Sequence, residues 1–193
     1  MFNSKYLMLL TIILLVGCGA GGGSDSPRSN PSEESFVEPS QSEIVEAINK
    51  VRSQKIDCND GLGYVGPSQP VSWNAELYNA AYEHSNDLAM TDTFSHDGSG
   101  TEYDITGYNR GKKSFFRERI DENGYMDYDI VGENIAGGFS TLVEVVNRWL
   151  ESPAHCTNIM KDDFDEIGTA IVVNPDSQYG IYWTQEFGHR ESK

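Results

Sequence analysis

His155 stands beside Cys156, and an imidazole next to a thiol is the pair of types from which a cysteine nucleophile is built. Immediate neighbours in sequence rarely align for proton transfer, and Cys58 offers Cys156 a disulfide instead. The remaining histidines divide. His84 falls on the apolar stripe of a predicted helix, where an imidazole bonded to a core neighbour is the simpler role; His189 lies in a predicted tail; His96 follows Phe94-Ser95. The run Asp121-Glu122-Asn123-Gly124-Tyr125-Met126, with Asp127, Asp129 and Glu133 beyond, has the oxygen density of a calcium loop. It lacks the pattern, because Met126 occupies the position of the sharp-turn Gly and Gly132 that of the closing Glu. An acidic solvated loop accounts for it. No HExxH, GxSxG, Walker or CxxC motif occurs.

The third cysteine has a different setting. Lys5 precedes a short apolar run, Tyr6 to Val16, too short to cross a bilayer of about 30 Å but suited to a signal-peptide core. It ends in Leu15-Val16-Gly17-Cys18, which resembles the bacterial lipobox. That resemblance implies cleavage before Cys18, acylation of its sulfur, and a mature protein held at a membrane by acyl chains rather than by a helix. Gly19 rather than Asp after Cys18 favours the outer membrane of a cell that has one. With Cys18 lipidated, an even pair remains, and an exported chain favours a Cys58–Cys156 bond over a free Cys156 thiol. Closing a loop of about 100 residues is worth on the order of 4–5 kcal/mol in the chain-entropy account.

The chain has 193 residues, room for one ordinary domain plus an extension. Its net charge is -16, from 14 basic and 30 acidic residues. Such a surface repels phosphate backbones, so nucleic acid is excluded as a partner, and divalent cations or cationic groups are the natural complements. Residues 18–42, the Cys and a Gly/Ser/Pro/acid-rich stretch after it, bury too little to fold and read as a tether with a reach of roughly 25–30 Å.

The elements that must position the histidines start after it. Ile44, Val45, Ile48 and Val51 fall at helical spacing behind Ser40-Gln41-Ser42-Glu43, a capping box. A second helix is predicted over Ala75–Met90, with Asn74 as cap and Leu77, Ala81, His84 and Leu88 as stripe. A third spans Thr141–Glu151 and ends near Pro153. Between residues 97 and 131 the pattern is poor, with a short helix over Ser114–Asn123 the one element predicted. Ile167–Val173 and Tyr179–Phe187 read as strands joined by the turn Asn174-Pro175-Asp176-Ser177. Helices first and a hairpin last predict an α+β domain over residues 43–189, an antiparallel sheet covered by helices, with 190–193 as tail.

A series of local signatures runs along this domain: Trp73-Asn74, His84-Ser85-Asn86-Asp87-Leu88-Ala89, Phe94-Ser95-His96, Gly132-Glu133-Asn134-Ile135-Ala136, Trp149 with Ser152-Pro153-Ala154-His155, Asn158-Ile159-Met160, Glu166-Ile167-Gly168 and Tyr182-Trp183-Thr184-Gln185. In this order they resemble the bacterial branch of the CAP (or SCP) superfamily over about residues 44–188. The resemblance implies an α-β-α sandwich with a cleft of two His and two Glu. His96, Glu133 and His155 match three of the four. The second glutamate falls on Ser152, and Glu151 is one position off, about 100° around a helix. Gln185 and Tyr182 are expected at the cleft border, and Cys58 and Cys156 match a bacterial subgroup in which the pair is disulfide-bonded.

Two imidazoles and a carboxylate suit a divalent ion such as zinc, with His96 and His155 as ligands. The implied function is that of a lipid-anchored, extracytoplasmic module that binds a small ligand, lipid or protein and is not an enzyme. The alternatives are a metal-dependent hydrolase or peptidase with Glu133 as base, and a structural envelope protein.

Overall fold

The computed structural model describes residues 36–190. The expected signal peptide, the lipobox-like segment with Cys18, the first part of the predicted tether and residues 191–193 lie outside the described residues. Helix α1 (Gln41–Arg52) starts on the expected capping box: the Glu43 N–H donates to Ser40 Oγ, and the Ser40 N–H donates to Glu43 Oε2 at 2.8 Å. The packed chain begins earlier than residue 43, because the Phe36 ring lies edge-on to Trp183 at 6.3 Å between centroids. Burying Phe36 draws the last residues of the predicted tether onto the domain.

Two short strands, β1 (Ile56–Asp57) and β2 (Tyr64–Val65), pair with each other, and β3 (Ser72–Trp73) leads into α2 (Ala75–Thr91). Asn74 caps α2 as predicted, its Oδ1 accepting the N–H of Glu76 and Leu77 at 2.8 and 3.0 Å. Helices α3 (Ile105–Arg110) and α4 (Phe116–Glu122) follow, then β4 (Ile130–Gly137), α5 (Leu142–Glu151), α6 (Pro153–Met160), β5 (Glu166–Val173) and β6 (Ile181–His189). Pro153 does not simply stop α5. Ser152 ends one helix and starts the next, with Pro153 in the first turn of α6, where its missing N–H has no intrahelical partner to lose. His189, expected in a tail, closes β6 and pairs with Asp165 at 2.9 Å.

The main sheet has the order β3-β5-β6-β4, antiparallel except for β3, which runs parallel to β5 through Ser72–Glu166 and Trp73–Ile167. Alternation along the strands sends Trp183, Gln185 and Phe187 of β6 to one face and Tyr182, Thr184 and Glu186 to the other. The first face packs on α1, α5 and α6 through Ile48, Val145, Trp149, Ile159 and Phe164. The second packs on α2 and α4 through Leu77, Ala80, Leu88 and Ile120. The fold is the expected α-β-α sandwich of the α+β class, with an apolar core on each side of the sheet.

Two devices lock α6, the helix that carries His155. Cys58 and Cys156 form the disulfide, with Cα atoms 5.5 Å apart, so Cys156 is no nucleophile. The buried Arg52 guanidinium donates to the carbonyls of Gln69, Ile159, Lys161 and Phe164 at 2.7–2.9 Å, binding the end of α1 to the α6–β5 connection. Among the described residues, no helix is long and apolar enough to cross a membrane.

Candidate functional site

The three residues of Gly132-Glu133-Asn134 have three different jobs, because successive side chains of β4 leave opposite faces of the sheet. A Cβ at Gly132 would meet the Phe164 ring at 2.9 Å, so the core side tolerates only Gly there. Asn134 turns toward α6. Its Nδ2 donates to the carbonyl of His155 at 3.3 Å and to Gln185 Oε1 at 3.1 Å, while its Oδ1 accepts Asn158 Nδ2 at 3.0 Å. This network sets where α6 begins, and so where His155 stands. Glu133 points the other way, into a buried polar cluster under α2 and α4.

Glu133 is only 2% exposed, and both its oxygens are held. Oε1 meets His96 Nδ1 at 2.7 Å, and Oε2 accepts Arg119 Nη2 at 2.7 Å. Burial alone would favour the protonated acid. The charge that the His84 imidazole takes on only at low pH, the Arg119 guanidinium and hydrogen bonds from His96 and Glu186 outweigh burial and hold Glu133 well below the usual carboxylate range. Arg119 is the hub: Nη2 also donates to the carbonyl of His96 at 2.9 Å, and Nη1 donates to Ser114 Oγ at 3.0 Å. One buried guanidinium thus fixes the carboxylate, the His96 backbone and the loop behind it.

Glu186 faces Glu133 directly across the β4–β6 pairing and is fully buried. No N–H of the protein reaches its oxygens among the described residues. Burial first, then the negative charge of Glu133, push its carboxyl well above the ordinary range. Of the two acids Glu186 is the one that favours the protonated form, in which the pair holds a single charge. His84 completes the cluster. Its Nε2–H donates to the carbonyl of Ser95 at 2.9 Å and lies 3.9 Å from Glu133 Oε2, and burial lowers its pKa to about 4. It is a neutral core imidazole bonded to a neighbour, as its place on the α2 stripe predicts.

The loop with His96 is irregular but pinned by two buried acids. Asp87 of α2 accepts the Ser99 N–H at 2.7 Å and the Ser99 hydroxyl. Asp104 accepts the N–H groups of Gly100, Gly107 and Ser114 at 2.9–3.0 Å. Gly98 passes so close to Asp104 and Ser114 that a side chain there would overlap both. His96 is thereby presented at the surface, with its side chain 53% exposed. The hydrogen bond to Glu133 raises its pKa, whereas burial and the charge of His96 lower that of the half-buried His155.

The His96 and His155 rings stand 6.4 Å apart between centroids, inclined by 51°. The half-exposed His96 ring is oriented through Nδ1 by the buried Glu133 carboxylate. Of the expected border residues, Gln185 sits beneath the cleft, buried against Asn134 and Thr169 at 3.1 and 3.5 Å. Tyr182 does not belong to it. It lies at the far end of β6, opposite Gly137, where its hydroxyl donates to Asp92 at 3.0 Å. Glu151 points into solvent toward Arg148, as its helical phase predicts.

A zinc site of three protein ligands does not fit these residues. Glu133 is committed to Arg119 and His96, so the cleft offers two imidazoles, and no group of three His, Cys, Asp or Glu among the described residues is arranged to hold a metal. Arg119 and Glu186 were missed in the sequence. An Arg in an acidic stretch and a Glu in a strand carry no spacing signal; only the side of β6 that Glu186 shares with Tyr182 and Thr184 marks it as inward.

The profile of the cysteine-rich secretory protein family matches residues 45–187. The chain is 28% identical over 166 residues to the uncharacterized protein YkwD of Bacillus subtilis, covering 85% of this chain and 52% of the relative. It is 26% identical over 117 residues to the uncharacterized membrane protein YlbC of the same species, covering 61% of this chain and 28% of the relative. It therefore spans about half, or less, of the length of these relatives. Among solved structures, an extracellular protein containing an SCP domain from Bacillus anthracis superposes with a TM-score of 0.58 at 21% identity, over 78% of this chain and 40% of the other. An outer surface protein from Borrelia burgdorferi does so with a TM-score of 0.53 at 23% identity, over 78% and 90%. That profile covers most of the chain and the fold is consistent with it: the chain belongs to the cysteine-rich secretory protein (CAP) family.

Proposed function

We propose that this protein is a non-enzymatic binding module of the bacterial envelope, tethered through acyl chains on Cys18, whose ligand-facing surface is the His96–His155 cleft. The observation that carries the proposal is the state of Glu133. A water-activating base needs access to solvent and a proton affinity near the working pH. Glu133 has neither, being buried, ion-paired to Arg119 and held well below the usual carboxylate range. This speaks against the hydrolase alternative. What the cluster supplies instead is a positioned His96, its Nδ1 held by Glu133, opposite a His155 whose pKa is lowered. With both rings in their neutral form such a pair can accept a divalent cation that keeps water or a ligand group on its other positions, and with two protein ligands, one of which must first lose a proton it holds readily, that binding is weak and exchangeable. The envelope location draws on the lipobox-like Leu15-Val16-Gly17-Cys18, and two structural neighbours are described as an extracellular and an outer surface protein. Gly19 favours the outer membrane where the cell has one.

Zinc is the probe that tests the cleft. Calorimetric titration of the purified chain is expected to show weak 1:1 binding that disappears in His96→Ala/His155→Ala, with no turnover of peptide or ester substrates. An absence of zinc binding by the wild type, zinc binding retained by the double variant, or hydrolysis abolished by Glu133→Gln overturns the proposal.

A further inference from the structure

A cavity of about 530 Å³ opens between α2, α3 and α4, and neither His96 nor His155 lines it. Its floor is Glu83, buried and held in place: Oε1 accepts the Thr106 N–H at 2.7 Å, and Oε2 accepts Asn123 Nδ2 at 2.8 Å and the Thr106 hydroxyl at 3.1 Å. The walls carry three further carboxamides, Asn79 and Asn86 from α2 and Asn109 from α3. Among the described residues none of these three amides bonds another protein group, so each offers one acceptor and two donors to whatever enters. Tyr82 and Ile105 present apolar faces beside them, 49% and 54% exposed. At the rim, Arg110 is occupied by Glu122 and Glu118, at 2.6 and 2.9 Å.

Each of these features narrows the ligand. An anion finds no free cation, since the one guanidinium is doubly paired and Glu83 adds a negative charge beneath. A purely apolar ligand would strip water from three amides without replacing its hydrogen bonds. A carboxamide is donor and acceptor at once, as a hydroxyl is, and a set of unbonded amides next to an aromatic face matches a ring with equatorial hydroxyls and an apolar C–H side. The volume lies within the range of small-molecule sites. We infer that this cavity is a binding site for a neutral saccharide chain, with Asn79, Asn86 and Asn109 as the polar contacts and Tyr82 as the stacking face. The inference does not depend on the His96–His155 cleft.

The test uses the purified chain and three probes: a tetramer of N-acetylglucosamine, maltotetraose, and inorganic phosphate as the anionic control. Saturation-transfer NMR and titration of the Asn side-chain amide signals are expected to show saturable binding of at least one saccharide below about 10 mM, and none of phosphate. Tyr82→Ala and Asn79→Ala/Asn86→Ala change half-exposed or exposed side chains and should leave thermal unfolding in place while weakening the saccharide at least tenfold. His96→Ala/His155→Ala should leave it unchanged, which separates this site from the cleft. Binding of neither saccharide, binding indifferent to the Tyr82 and Asn changes, or binding lost with the histidines overturns the inference.

Discussion

Glu133 of β4 and Glu186 of β6 are direct partners across two antiparallel strands and both are buried, and of the two it is Glu186 that burial and its neighbour's charge drive toward the protonated form. Two carboxyl groups on one face of a sheet repel when both are ionised. Arg119 answers one of those charges, and the proton on Glu186 removes the other. The cleft is therefore braced from behind by a neutral acid that hydrogen-bonds a charged one.

That arrangement sets a pH dependence. The folded Glu186 keeps its proton above the pH at which an unfolded Glu releases it, so a raised folded pKa contributes stability that is complete below about pH 4.3 and is lost as pH rises toward the folded value. Glu186→Gln puts a permanent N–H donor in the same place. Its gain over wild type should grow by about 1.4 kcal/mol per pH unit across that window. Urea unfolding at pH 5, 6 and 7 measures this, and a constant difference between the two proteins would mean that Glu186 is not the protonated partner.

The disulfide gives a prediction of a different kind. Cys58 and Cys156 are 98 residues apart and tie the β1 region to the helix that carries His155. Cys58→Ser/Cys156→Ser should cost about 4–5 kcal/mol through the freed unfolded chain. In whatever fraction remains folded, the zinc response of the cleft should weaken as well, because α6 loses one of its two locks. Urea unfolding and zinc titration of the same sample compare the two effects, and full zinc affinity in the folded fraction would assign α6 to Arg52 and Asn134 alone.

For the anchor, Cys18→Ser removes the only sulfur that the lipobox-like segment offers for acylation. The expected outcome in the producing bacterium is loss of the protein from the membrane pellet and of labelled fatty acid from the protein band. Stable anchoring takes two or more chains, so partial acylation should already shift the distribution toward the soluble fraction. Label retained by the variant would place the attachment elsewhere.

Legibility followed local chemistry. The Ser40–Glu43 capping box, the Asn74 cap and the β5–β6 turn were legible because their partners lie within four residues. β4 was not, since burial on both faces erases the alternation that marks a strand. The short α3 and the His96 loop depend on Asp87, Asp104 and Gly98, whose partners lie up to 16 residues away. His96, Glu133 and His155 were placed by resemblance to a family rather than by spacing. What the resemblance could not supply was Glu186 and Arg119, which complete the cluster only when β6 and α4 close over it.

Arg119 is where the brace should fail first. Its guanidinium is buried and divides its donors among Glu133, the His96 carbonyl and Ser114. Arg119→Met leaves the Glu133 charge buried beside an apolar side chain, and breaking one partner of a buried ion pair typically costs about 3–5 kcal/mol. Arg119→Lys keeps the charge but has one compact ammonium for contacts that a planar fork makes in several directions. Part of the stability should therefore return while the His96 loop stays loosened, which NMR titration of the His96 ring would show as a pKa moving back toward about 6.5. Full recovery of both stability and the His96 titration by Lys would reduce Arg119 to a counter-ion, and the geometry of its donors would then have no part in holding the cleft.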